Sequence, residues 1–158
     1  CVALGAHFSA VWIIVANSWM QTPAGYKIAE TSSGSRAVID GFWTMVFNPS
    51  TIDRLTHTVL ACWVTGAFFV LSVSAFYLMK KRHLPIARSM MKISLLVAVG
   101  SLILQAFSGH SSANLVAEYQ PAKLAAFEGL YQTEENTPLS VIGWVDTKNE
   151  KVHALKIP

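Results

Sequence analysis

The sequence predicts an all-α fold, a polytopic transmembrane helix bundle of about three spans with an extracytoplasmic loop domain. Three observations predict it. Only 13% of the 158 residues are charged, about half of what a soluble domain carries. Mean hydropathy is +0.42, which places the chain in the membrane class. Long apolar stretches recur, and a helix crosses a bilayer with roughly 20 such residues.

Residues 1–20 form the first expected span, CVALGAHFSAVWIIVANSWM. Its small residues Gly5, Ala6, Ser9 and Ala10 let membrane helices approach closely, and Trp19 suits a membrane–water interface. Ser9 and Asn17 lie about two turns apart and share a face. Residues 21–50 read as an outer connection. Pro23, Gly25 and a Thr-Ser-Ser-Gly-Ser run predict a loop over 21–35. Arg36 to Asn48 is too short to span and reads as a helix lying in the interface.

Asn48-Pro49 breaks that element, and Ser50 with Asp53 resembles a capping box that starts the next helix. Residues 51–80 form the second span. From Thr56 to Met79 it holds no Asp, Glu, Lys or Arg, so His57 near its start stands out. Asp53, Arg54 and His57 share one face there. Residues 81–84 are a basic turn, and Pro85 suits the first turn of a third span over 85–108. Lys92 lies within reach of the surface by snorkelling.

The charges orient the bundle. Lys80, Lys81, Arg82, Arg88 and Lys92 stand between the second and third spans with no acid among them. The positive-inside rule makes that turn cytoplasmic, so His57 and residues 109–158 face the outside. That last segment contains a short amphipathic helix, Pro121 to Tyr131, and strand-like residues from Ser140 to Val145. It is longer than a simple connection needs to be, and such loops are usually functional or disordered.

Several functions are excluded or disfavoured. The net charge of +3, without basic residues interleaved with aromatics, gives no nucleic-acid partner. Cys1 and Cys62 lack zinc or disulfide-framework spacing, and no secretory leader is apparent. With a start at Cys1 in a membrane-like stretch and no closing element at Pro158, the chain reads as an internal part of a larger membrane protein.

Spacing leaves the chemistry of His57 open. A neutral imidazole can ligate haem iron, with Arg54 pairing a haem propionate; equally, His57 can be an interfacial side chain hydrogen-bonded to a loop. Asp53 can neutralise Arg54 or hold a histidine N–H. Lys123 and Glu128, flanking Leu124 and Phe127, could serve quinol oxidation, which releases protons and needs an acid/base beside an apolar surface. They could also be a solvated helix face. Two other classes remain. In a transporter or channel, Ser9, Asn17 and His57 would line a polar path, but the second span lacks the Gly/Pro interruptions common in transporters. A different haem-b cytochrome would want further histidines mid-span.

Four stretches carry a family resemblance: FSAVWIIVANSWMQTPAGY (Phe8–Tyr26), VFNPSTIDRLTHTVLACWVTGAFF (Val46–Phe69), SAFYLMKKR (Ser74–Arg82) and EYQPAKLAAFEGLY (Glu118–Tyr131). In combination and order they resemble subunit I of the cytochrome bd-type ubiquinol or menaquinol oxidases, bacterial respiratory terminal oxidases. The resemblance implies that His57 is an axial ligand of haem b558, which is a metal-ligand role toward its iron. It implies that Arg54 stands one turn before that ligand, and that Lys123 and Glu128 act in quinol oxidation within a quinol loop. Ser9 matches a serine on an intramembrane proton route. It further implies haem b595 and haem d elsewhere in the subunit, an oxidase subunit II, small accessory subunits and surrounding lipid as partners, and a multi-pass place in the bacterial inner membrane. The methionine partner of haem b558, the haem b595 histidine, the paired glutamates near haem d and the GRQPW-type motif are not in this stretch. His7 and His110 match no ligand position.

Overall fold

A computed structural model describes residues 1–32, 34–132, 138–149 and 151–157. Residue 33, inside the polar run, and Glu134, Glu135 and Glu150, which enter the charge balance, lie outside the described residues. The fold is mostly helical. Its elements run α1 (Val2–Gln21), β1 (Tyr26–Thr31), β2 (Gly34–Ile39), α2 (Phe42–Val46), α3 (Thr51–Met79), α4 (Leu84–Tyr119), α5 (Pro121–Glu128), β3 (Leu139–Asp146) and β4 (Lys151–Ile157). α1, α3 and α4 are each long and apolar enough to cross a membrane. The chain divides into two units, Cys1–Ser112 and Ala113–Pro158.

In the first unit α1 packs on α3 and α2. Beyond Thr51 in its first turn, the buried positions of α3 recur every seven residues, at Leu60, Ala67 and Ser74. Those of α4 include Ala87, Ser94 and Ser101 at the same interval. A seven-residue repeat keeps one seam turned inward, and small residues on it allow close approach. Two of the seam serines offset their burial: Ser74 Oγ donates to the Val70 carbonyl at 2.6 Å and Ser94 Oγ to that of Met90 at 2.6 Å. Large apolar side chains cover the other faces. Leu96, Phe107 and Phe69 are 76%, 72% and 70% exposed, as suits helices surrounded by lipid or by further helices.

Three local expectations differ from what is observed. First, the polar stretch after α1 is a hairpin, with β1 and β2 antiparallel and Tyr26 opposite Ile39. Gly25 makes it possible. Its φ is +64°, and its carbonyl accepts from both Asp40 and Gly41 backbone N–H groups at 2.8 and 3.0 Å. A side chain there would meet the Gly41 carbonyl oxygen at 2.5 Å. The pairing also takes Arg36–Ile39 out of the expected interfacial helix, of which only Phe42–Val46 is helical. Second, Ser50 makes no side-chain cap; its hydroxyl is held 2.6 Å from Thr22 Oγ1 instead. Thr22 also donates to Asn48 Oδ1 at 3.0 Å, so this buried polar knot ties the end of α1 to the start of α3. Third, α4 continues past Ser108 to Tyr119. Pro121 follows immediately and, lacking an N–H, opens α5 at its first turn.

The α3–α4 turn is tight. Arg82 N–H donates to the Tyr77 carbonyl and Lys81 N–H to that of Leu78, the paired bonds of a Schellman end. Lys81, with φ 52°, fills the left-handed position usually given to glycine.

In the second unit, Gly129 (φ +67°) ends α5 in a left-handed cap. β3 and β4 pair antiparallel with an irregularity between Ser140 and Ile142.

Candidate functional site

The residues singled out at the start of α3 form a partnered constellation. Asn17 of α1 accepts a hydrogen bond from the Arg54 guanidinium at 2.5 Å. Ten residues earlier on α1, His7 Nε2 accepts the Trp63 indole N–H at 3.2 Å. Ten residues back on one helix against nine forward on the other makes α1 and α3 antiparallel, with the two contacts about 15 Å apart along the axis. α4 answers α3 in the same way. Asp53 and His57, one turn apart, face Ser112 and Ser108, also one turn apart. Ser112 donates to Asp53 Oδ2, and Ser108 Oγ lies 3.2 Å from His57 Nδ1. Gln105, three residues before Ser108, places its amide nitrogen 2.8 Å from His57 Nε2.

Asp53 bonds Ser112, and among the described residues it pairs with neither Arg54 nor His57. Arg54 is oriented by α1 and retains donors of its five for a carboxylate. Ser9 sits exposed on α1 and is not brought to this cluster. Asn17, which shares Ser9's expected face, is the α1 residue that reaches it. Ser108, Ser112 and Gln105 went unnoticed in the sequence. The usable clue was spacing, since a Ser-x-x-x-Ser pair on one helix matches an Asp-x-x-x-His pair on its antiparallel neighbour.

His57 is half-buried. A mainly apolar open groove of about 460 Å³ between α3 and α4 is lined by Asp53, Thr56, Leu60, Leu104, Phe107 and Ser108 among others; His57 itself does not line it. Among the described residues no group of three or more His, Cys, Asp or Glu could hold a bare metal ion. A haem, which brings its own ring nitrogens, needs only an axial ligand such as an imidazole. The donor set fits that use. One nitrogen of His57 is tied to a hydroxyl, as is usual for metal-ligating histidines. Beside the other nitrogen, Gln105 Oε1 is buried without a hydrogen-bond partner.

In the second unit Lys123 and Glu128 lie five residues apart, so they point about 140° away from each other around α5. The Lys123 ammonium lies 5.7 Å from the centre of the Phe127 ring, a cation–π geometry. Glu128 Oε2 accepts the Ser140 backbone N–H at 3.2 Å, which anchors the carboxylate to β3. Gly129 packs so closely on β4 that an added Cβ would meet Val152 Cγ2 at 2.7 Å.

The Asp40 carboxylate beside Lys27, 2.6 Å away, raises that ammonium. Hydrogen bonds from Asn149 and Lys148 lower Asp146 in the β3–β4 turn.

All 158 residues match the family of cytochrome bd terminal oxidase subunit I. The chain belongs to that family. It is 40% identical over 159 residues to the cytochrome bd-II ubiquinol oxidase subunit 1 of Escherichia coli, matching 99% of this chain and 30% of that protein. It is 35% identical to the cytochrome bd ubiquinol oxidase subunit 1 of Bacillus subtilis, over 99% of this chain and 33% of the relative. The solved bd oxidase of Geobacillus thermodenitrificans superposes with a TM-score of 0.86 at 30% identity, over 99% of this chain and 35% of that one. The chain thus spans about a third of these bd-family relatives. Membership and three membrane-length helices make it a membrane protein.

Proposed function

We propose that this chain forms the electron-input region of a membrane quinol:oxygen oxidoreductase, a terminal respiratory oxidase. The observation that carries the reading is His57. It is a half-buried imidazole with one nitrogen held by Ser108, in a family whose named relatives are ubiquinol oxidases. His57 would hold the iron of haem b558 through Nε2, and Arg54 would pair a propionate. A haem there supplies one-electron redox chemistry. Haem b595 and haem d would be held by parts of the subunit beyond this stretch.

Quinol, ubiquinol or menaquinol, would be bound at α5. Oxidation to quinone gives up two electrons and two protons. Glu128, oriented by Ser140, would accept one hydroxyl proton, Lys123 would hold the other ring oxygen while its proton leaves to water, and the electrons would pass one at a time to the haem. Phe127, 69% exposed, offers an apolar surface beside them. Ser9 would belong to a separate proton route for oxygen reduction, with exposure on α1 as its support. The partners would be oxidase subunit II and small accessory subunits, in the bacterial inner membrane. The basic turn Lys80–His83 would face the cytoplasm, and residues 109–158 the other side. Family membership weighs against a transporter or channel.

The test compares two electron donors on the full-length oxidase. Lys123→Ala or Glu128→Gln should lower quinol oxidation about 100-fold or more and leave oxidation of an artificial one-electron donor close to normal. Equal loss with both donors would contradict a quinol-specific role.

A further inference from the structure

We infer that Ser108 is a positioning residue for the haem ligand. It holds the Nδ1–H of His57, fixes Nε2 as the ligating nitrogen and tunes how strongly that nitrogen donates. The inference rests on the reading of His57 as a haem ligand.

The Gln105 carboxamide nitrogen lies 2.8 Å from Nε2, on the ligating side. A nitrogen that ligates iron presents its lone pair, so with Nε2 as the ligand the ring proton of the neutral imidazole is on Nδ1. Ser108 Oγ, 3.2 Å from Nδ1, is positioned to accept it. Asp53, the carboxylate one turn earlier on the same helix, bonds Ser112, and Nδ1 lies against Ser108. The acceptor is therefore a neutral hydroxyl, which supports the imidazole without pulling it toward imidazolate. Accepting Nδ1–H raises the basicity of the ligating nitrogen and favours the oxidised iron. Gln105 lies on the Nε2 side with Oε1 buried and unpartnered. Its carboxamide must turn aside for iron to bind, so it acts on uptake and is not a ligand.

The experiment is a spectroelectrochemical titration of the b-type haem in the full-length oxidase with its partner subunits. In Ser108→Ala the haem should remain and its midpoint potential should rise. Ser108→Thr, which keeps the hydroxyl, should restore the unmodified value. An unchanged midpoint in Ser108→Ala, alongside loss of the haem in His57→Ala, would overturn the positioning role and leave the ligand reading intact. Retention of the haem in His57→Ala would overturn both. If Ser108→Ala does not accumulate, Ser108→Gly, which also lacks the hydroxyl, is titrated in its place. A raised midpoint supports the assignment, and an unchanged one rejects it.

Discussion

The start of α3 and the end of α5 hold their polar groups by different means. At α3, the contacts of the charged and imidazole groups are side chain to side chain across helices: Asn17 to Arg54, Ser112 to Asp53, Ser108 and Gln105 to His57. In apolar surroundings a polar group without a partner costs free energy, so such residues come in matched sets whose spacing follows the helix period. At α5, no residue is buried. Lys123 rests over a ring of its own helix, and Glu128 is held by a backbone N–H of β3. One region is organised by side-chain complementarity, the other by the register of a hairpin against a helix end.

The contrast can be broken in each region separately. The larger effect is expected at α3. Asn17→Leu removes the partner of a half-buried guanidinium, and thermal unfolding of the detergent-solubilised protein should show a loss of about 1–3 kcal/mol. Pairing it with Arg54→Leu should recover part of that loss, since no orphaned charge remains. A simple sum of the two single effects would show that the contact is incidental. A smaller effect is expected at α5. Gly129→Ala forces a side chain onto Val152 at a left-handed backbone position, which costs about 1–2 kcal/mol. Its more telling consequence is local. Amide exchange should increase at Ser140, which donates to Glu128, and remain unchanged through α3. Protection kept at Ser140 would mean that β3 holds Glu128 without the close Gly129–Val152 approach.

This division also explains what the sequence made legible. The three spans follow from uninterrupted apolar runs, His57 from its isolation in such a run, and Asp53 and Arg54 from sharing its face just before that run. The partners of those residues were readable only by matching spacings on two helices, which requires knowing that the helices are adjacent. Asp53 went to Ser112 and not to Arg54 for that reason. The hairpin β1–β2 was hidden because its closure depends on the positive φ of Gly25 and its tight approach to Gly41, and a Gly/Pro/Ser-rich stretch reads equally well as a loop. α4 outran its expected end because Gly109, His110 and the serines after it are weak helix formers that do not by themselves break a helix; the change to Pro121 does. Ser140 was visible as part of a strand, but its bond to Glu128 depends on where that strand pairs.

The central claim is that His57 holds a haem. It is tested most directly by a reduced-minus-oxidised difference spectrum of the full-length oxidase carrying His57→Ala, with Asn17→Leu as a control for disruption of the same helix end. The claim predicts loss of the low-spin b-type signal in His57→Ala and its survival in the control. A b-type signal of unchanged position and intensity in His57→Ala would contradict it.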